Sequence, residues 1–339
     1  TTCGWMMWNW LVSALASKAS IVLFDGSPMY KKDDLLLKIA DKEKITLLGI
    51  SAKYIDALRK LKPSLKYKYQ LNKLKTICST GSPLSNDGFK YIYQNVKKNV
   101  HLSSISGGTD IVSCFVLGNL YQPVYMGEIQ NNGLALDVDI FNDKGNSIKN
   151  KKGELVCRNP FPSMPLKFWN DKNDKKFKDA YFNRFPNSWH HGDFAEKKDT
   201  GGFIIHGRSD TTLNPGGVRL GTSEIYSEVE KFPQIKESIV VGQSWDNDVR
   251  IILFIVMNQK FKFTEELLKK IKIQIRENTS PRHVPRKVIV VKDIPRTKSG
   301  KIVELAVKNV IEGNNIKNKE ALANPKSLEQ FKNLKELSY

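Results

Sequence analysis

Residues 45–61, ITLLGISAKYIDALRKL, followed by LKTICSTG at 74–81, decide the fold. The run ITLLGI is apolar and short, as a buried strand is, and 51–61 then places apolar residues at helical spacing. LKTICSTG repeats the strand signal, and 85–98 reads as another helix. Upstream, a helix over about 5–17, the apolar run SIVLFDG at 20–26 and a helix over 33–42 extend the same alternation. Strand and helix in turn predict an α/β unit, a parallel sheet with helices on its faces. Ligands on such sheets sit at the carboxyl ends of the strands. Two Gly-bearing loops lie at such ends here, STGSP (79–83) and SISGGTD (104–110).

From about residue 120 the pattern changes to short β segments separated by turn residues: LALDVDIF, NDKGN, GELVCRNP and GGFIIHGR. Beyond GRSD the chain reads as a separate α+β unit. Its expected elements are a helix at 222–232, strands in SIVVG and RIILFIVMN, a helix at 264–277, a strand in KVIVV and a closing helix from Lys301. Thr264 is placed to cap the 264–277 helix, Glu265 and Glu266 suit its first turn, and Leu267, Leu268, Ile271 and Ile275 share one face. These changes predict segments 1–120, 121–209 and 210–339, with the main boundary near Asp210. The polar tail after Gly313 is expected only to lie over the surface.

At 339 residues and 40% hydrophobic composition the chain can bury a sizeable core. The most apolar stretch, WMMWNWLVSALA, is interrupted by Asn9 and Ser13 and soon meets Lys18, so it predicts a buried helix, not a membrane span. No leader pattern opens the sequence, and Cys3, Cys78, Cys114 and Cys157 are far apart, which suits a reducing cytoplasm without zinc or disulfides. The net charge of +19 attracts anions in general. Its lysines are scattered, without a recognisable nucleic-acid module, so no nucleic-acid partner is expected.

Several polar motifs remain. In PRTKSGK (295–301), Lys301 stands at the expected start of a helix, where the dipole disfavours a cation unless an anion approaches. In SISGGTD, Gly107 and Gly108 permit close approach to the backbone, while Thr109 offers a hydroxyl to phosphate and Asp110 a hard oxygen to Mg²⁺. In WHHGDF, adjacent His190 and His191 face opposite ways along a strand, so they cannot share a metal, and Asp193 suits a diol. In GRSD, Arg208 can meet phosphate or ribose oxygens and Asp210 marks the boundary. Each motif alone also fits an ordinary role as a turn, a strand end or a surface charge.

Their order along the chain is more specific: STGSP, GGTD, HGD, GRSD, GGVRLGTSEI, PRTKSGK. This set resembles the adenylate-forming superfamily of acyl-CoA synthetases, luciferases and nonribosomal adenylation domains. The resemblance implies part of a large adenylation domain, with parallel sheet layers and a small β subdomain, followed by a mobile α+β C-terminal domain. It further implies an acid–thiol ligase using ATP, Mg²⁺ and CoA. The longer stretches TTCGWMMWNWLVSALASKASIVLFDGSP, PVYMGEIQ, FWNDKN, AYFNRFP and NPKSLEQFKNLKEL resemble those of its acetoacetate-activating members, which implies acetoacetate as the acid. By the same resemblance Gly81, Ser82 and Pro83 pack on adenine, Gly108, Thr109 and Asp110 hold phosphate and Mg²⁺, and Asp193 binds ribose. Arg208 and Arg219 contact the adenylate, Asp210 is the hinge, Gly216 and Gly217 face CoA, and Lys301 is catalytic. Gly107 is expected to leave room for the acyl group where acetate-specific relatives carry tryptophan.

Three departures stand out. Asp110 replaces the family's glutamate, Asn214 stands where many relatives have lysine, and the family's Ser/Thr/Gly-rich phosphate loop falls upstream of Thr1. The chain is therefore expected to correspond to the C-terminal half of such an enzyme. A non-catalytic remnant that binds nucleotide or a partner, and a ligase for another short acyl group, stay open as alternatives.

Overall fold

The computed structural model describes residues 1, 3, 5–30, 34–62, 64–298, 300–316 and 319–338. Two units divide the chain, Thr1–Ile205 and His206–Tyr339.

The first unit opens with α1 (Met6–Ser13) and α2 (Leu35–Lys42), then β1 (Leu47–Ser51), α3 (Ala52–Leu61), β2 (Thr76–Thr80), α4 (Asn86–Tyr91) and β3 (His101–Ser104). Strands β1, β2 and β3 pair in that order, all parallel, with Ile50 opposite Ser79 and Ile77 opposite Leu102. The alternation read from the sequence thus builds a parallel sheet. Leu37 of α2, Ile55 and Leu58 of α3 and Phe89 of α4 share one core with Ile77 and Leu102. Each fully buried side chain of this kind contributes about 1.5–3 kcal/mol. Caps set the strand-to-helix turns: Ser51 Oγ accepts from Tyr54 N at 3.1 Å, and Ser85 Oγ from Gly88 N at 3.1 Å. The helix expected over 85–98 is α4 continued by one wider π turn, Ile92–Val96.

Next come β4 (Ser106–Gly108), β5 (Ser113–Leu117) and β6 (Asn131–Asn132), an antiparallel sheet, then β7 (Val138–Phe141), β8 (Lys152–Cys157), α5 (Lys175–Tyr181), β9 (Trp189–Lys197) and β10 (Phe203–Arg208), which runs across the boundary after Ile205. The last four strands lie in the order β10, β9, β8, β7. An aromatic core of Phe115, Phe161, Phe177, Trp189 and Phe203 fills this region. Glu154 on β8 is fully buried, and its carboxylate accepts from Arg184 Nη1 and His190 Nε2, each at 2.8 Å. A buried charge is tolerable only with such partners.

Two expectations fail near the start of the chain. None of α1's residues is buried, and Trp10 is 37% exposed. SIVLFDG is not a strand; Leu23 in it is 64% exposed. Apolar composition is not enough for a strand, which also needs a neighbour for its backbone hydrogen bonds, and among the described residues no strand pairs with this segment.

The second unit contains α6 (Thr222–Val229), β11 (Ile235–Trp245), β12 (Asp248–Met257), α7 (Glu265–Asn278), β13 (Lys287–Val290) and α8 (Glu304–Ile311). β11 pairs antiparallel with β12, which pairs parallel with β13. Thr264 caps α7, accepting from Leu267 N at 3.2 Å, and Leu267, Ile271 and Ile275 are buried on its inner face. The closing helix begins at Glu304 and not at Lys301. The tail does not merely drape: Leu322, Leu328, Phe331 and Leu337 enter the core with Ile239 and Phe254, and the rings of Phe254 and Phe331 meet edge-on at 4.9 Å. Apolar residues thinly spaced among lysines and asparagines carry this packing, so the segment's average composition conceals it. Among the described residues no helix is long and apolar enough to cross a membrane.

Burial pushes the Cys78 thiol up to about 11 and the Cys114 thiol up to about 12, whereas Cys3 is exposed. The thiolate is the reactive form. A disulfide reagent at pH 8 should therefore titrate one thiol rapidly in the native protein and all four after unfolding in guanidinium.

Candidate functional site

In the first unit, the loops picked out by sequence meet beyond the carboxyl ends of β2 and β3. Ile105 N donates to Ser79 O at 2.9 Å, and Thr80 Oγ1 donates to Ile105 O at 3.2 Å. The STGSP loop therefore leaves β2 directly beside the entry to SGGTD. Gly81 has φ +88°, a left-handed conformation that glycine adopts without strain. Ser82 and Pro83 follow it toward the Ser85 cap of α4. Beneath these loops lies a small apolar floor of Cys78, Ile105 and Cys114, with Met7 of α1 against it.

β4 is held on two sides. A Cβ on Gly107 would lie 2.1 Å from Ser113 O and 2.5 Å from Cys114 Cα, both backbone atoms of β5. One on Gly108 would lie 2.7 Å from His191 Cε1. His191 Nε2 donates to Gly107 O at 3.2 Å, and its ring packs on Phe115 at 4.7 Å. Asp193, two residues along β9 on the same face, is buried; its Oδ2 accepts from Ser106 Oγ at 3.3 Å and lies 3.7 Å from His191 Nε2. His190 turns the other way, to Glu154. The opposite facing expected of the two histidines is observed.

Gly107 does not open the space for an acyl group that was expected of it. Its missing side chain points into the β5 backbone, not into an open cavity. Glycine here permits close strand approach, and tryptophan would be excluded by backbone rather than accommodated as a floor. Ser106 and Tyr181 were not singled out from the sequence. Tyr181 OH donates to Asp110 Oδ2 across 71 positions, a pairing that no spacing signal announces. Thr109 and Asp110 are exposed in a turn closed by Val112 N donating to Thr109 O at 3.1 Å.

No cluster of three or more His, Cys, Asp or Glu able to hold a metal occurs among the described residues. A single exposed carboxylate, Asp110, still suits Mg²⁺, which binds through one or two carboxylates plus substrate phosphates.

In the second unit, Leu213 and Leu220 exchange backbone hydrogen bonds at 2.9 and 2.8 Å and close a loop carrying Gly216, Gly217 and Arg219. Gly216 N donates to both Asp248 oxygens, at 2.8 and 3.0 Å. The backbone N–H groups of Val249 and Gly216 together hold the Asp248 carboxyl below the usual range. Arg208 Nε lies 3.8 Å from Asp210 Oδ1, both half exposed. Asn214 borders a cleft with Ser244, Trp245 and Asp248.

Lys301 is exposed in a hairpin-like turn. Ile302 bridges to Arg296, Gly300 N donates to Thr297 O at 2.8 Å, and Lys301 N donates to Thr297 Oγ1 at 3.0 Å. Ser299 of the PRTKSGK motif lies outside the described residues. Since α8 starts three residues later with Glu304 in its first turn, the conflict expected between Lys301 and a helix dipole does not arise. The tail holds this turn. Asn324 Nδ2 donates to Asp293 Oδ2 at 2.7 Å and Ile294 O at 2.9 Å, its Oδ1 accepts from Arg296 N at 2.8 Å, and Lys298 N donates to Ala321 O at 3.1 Å.

Comparison with known proteins fits this geometry. Residues 224–301 match the AMP-binding enzyme C-terminal domain. Over 99% of its length the chain is 55% identical to acetoacetyl-coenzyme A synthetase of Rhizobium meliloti (strain 1021), covering 52% of that protein. It is 48% identical to acetoacetyl-CoA synthetase of Xenopus tropicalis, of which it covers 50%. The chain is a homologue of acetoacetyl-CoA synthetases. The solved acetoacetyl-CoA synthetase from Streptomyces lividans superposes with a TM-score of 0.89 at 38% identity, over 98% of this chain and 51% of that one. The chain thus has the adenylate-forming fold and spans about half the length of the relatives it matches.

Two stability measurements check these packings. Gly107→Ala and Gly107→Trp should each lower the urea midpoint, by at least about 2 kcal/mol of stability, since neighbouring backbone cannot yield cheaply. Asn324→Ala should cost about 1–3 kcal/mol by leaving backbone groups unpaired and should speed tryptic cleavage within 296–301.

Proposed function

We propose that this chain is part of an AMP-forming acid–thiol ligase that joins acetoacetate to CoA at the expense of ATP. The observation that carries the reading is 55% identity over 99% of the chain to a synthetase of that name. The convergence of STGSP, GGTD and HGD in the first unit supports it.

In the first half-reaction an acetoacetate oxygen attacks the α-phosphorus of ATP. The new carboxyl–phosphate bond forms as the bond to the β-phosphate oxygen breaks, and pyrophosphate leaves with that electron pair. We assign Gly81, Ser82 and Pro83 to adenine, Asp193 to the ribose hydroxyls, Gly108 and Thr109 to phosphate, and Arg208 and Arg219 to adenylate oxygens. Asp193 is suited to its role because Ser106 donates to its buried carboxylate while it remains an acceptor for hydroxyls. Bound through the phosphates and Asp110, Mg²⁺ would neutralise charge on the triphosphate. Lys301 supplies a cation where carboxylate and phosphate, both anionic, must meet. We assign Gly107 to the backbone bordering the acyl group.

In the second half-reaction the CoA sulfur attacks the acyl carbon. A C–S bond forms, the acyl–phosphate bond breaks, AMP leaves and the thiol proton is lost. Gly216 and Gly217 are assigned to this step, with Asp210 as the pivot between the two.

Pyrophosphate release tests the reading. It is measured with ATP, Mg²⁺ and acetoacetate, acetate or no acid, using the chain alone and the chain joined to the portion of the Rhizobium meliloti homologue that it does not span. Acetoacetate-dependent release is expected from the joined protein, with a loss of about 10²-fold or more in Lys301→Ala and little change in its melting temperature. Folded joined protein that releases no pyrophosphate with any acid would refute the ligase.

A further inference from the structure

Asp110 is an exposed carboxylate on a turn, yet its direction is constrained from outside that turn. Tyr181, at the end of α5, donates its hydroxyl to Asp110 Oδ2. The tyrosine is itself fixed: its ring stacks on Trp189 with centroids 3.6 Å apart and planes at 17°. Phe168 and Phe177 meet it edge-on at 6.1 and 6.0 Å. Trp189 is buried on β9, the strand that also carries Asp193. The turn bearing Asp110 is pinned by Ile111, which is fully buried beside it.

We propose that Tyr181 is a positioning residue that orients the Asp110 carboxylate for a phosphate-bound divalent cation; the proposal rests on the ligase reading. A carboxylate has about four acceptor sites on its two oxygens. Tyr181 takes one on Oδ2 through a charge-assisted bond, which is stronger and more directional than a neutral one. Oδ1 remains for the cation, and the side chain no longer loses rotational freedom when the cation arrives. Through Trp189, one rigid aromatic stack relates the metal-facing carboxylate to the strand of the assigned ribose-binding residue.

The test uses the joined protein with Tyr181→Phe, Asp110→Asn and both. Tyr181→Phe keeps the ring and its stack, so its melting temperature and near-ultraviolet dichroism serve as folding controls. Removing one charge-assisted bond should raise the Mg²⁺ concentration for half-maximal pyrophosphate release roughly tenfold, with a smaller fall in kcat at saturating Mg²⁺, and should weaken Mn²⁺ binding to the protein with a non-hydrolysable ATP analogue, read by calorimetry without turnover, by the same factor. In the Asp110→Asn protein, adding Tyr181→Phe should change nothing further. An unaltered Mg²⁺ requirement in Tyr181→Phe, or the same shift in both backgrounds, overturns the positioning role while leaving the ligase intact. Normal Mg²⁺ dependence in Asp110→Asn overturns the assignment of Asp110 and this inference with it. No release from the unsubstituted protein overturns the ligase reading itself.

Discussion

Two adjacent glycines let β4 lie closer to its neighbours than any side chain permits, and the site in the first unit depends on that approach. On one side the backbone of Ser113 and Cys114 occupies the space a Gly107 side chain would need; on the other, His191 sits against Gly108. The hydrogen bond from His191 to Gly107 O then ties β4 to β9. Ser106 and Asp193 meet because of this tie, and the turn carrying Thr109 and Asp110 emerges where β4 ends. A short strand in an otherwise separate antiparallel sheet thereby joins the parallel sheet's loops to the β-rich part of the unit.

The second unit applies a different constraint to a similar need. Lys301 lies on an exposed turn, and exposed turns carry little stability of their own. Here the turn is held by backbone bonds of Thr297 with Gly300 and Lys301, by the Thr297 hydroxyl accepting from Lys301 N, and by a tail that contributes Leu322, Leu328, Phe331 and Leu337 to the core. Asn324 satisfies an aspartate, a carbonyl and an N–H at once, joining the tail to the start of the motif. For the anion proposed to meet Lys301, a base held in this way is favourable, since only the long side chain must adjust to the ligand.

Much of this was legible from local pattern. The alternation around ITLLGISAKYIDALRKL and LKTICSTG produced the parallel sheet β1–β2–β3, and Thr264 with its following apolar face produced α7. Local pattern failed where cover or pairing is decided at a distance. WMMWNWLVSALA is a helix, as its composition predicts, but nothing in its own sequence determines what lies over it. SIVLFDG has the residues of a strand without a neighbouring strand. The tail after Gly313 reads as polar because its few core residues are spaced too irregularly to form a recognisable face.

The sequence by itself determined the type of most elements, the order of the motifs and the residue chemistry available at each loop, because these depend on neighbours within a few positions. Only the tertiary structure decided that Gly107 faces backbone, that Lys301 precedes its helix by three residues and that Tyr181 meets Asp110. Those relations join residues far apart in the chain, or hinge on a shift of a few residues in where an element begins. Hydrogen bonds and close contacts are sensitive to fractions of an ångström, a precision that periodicity and spacing do not carry.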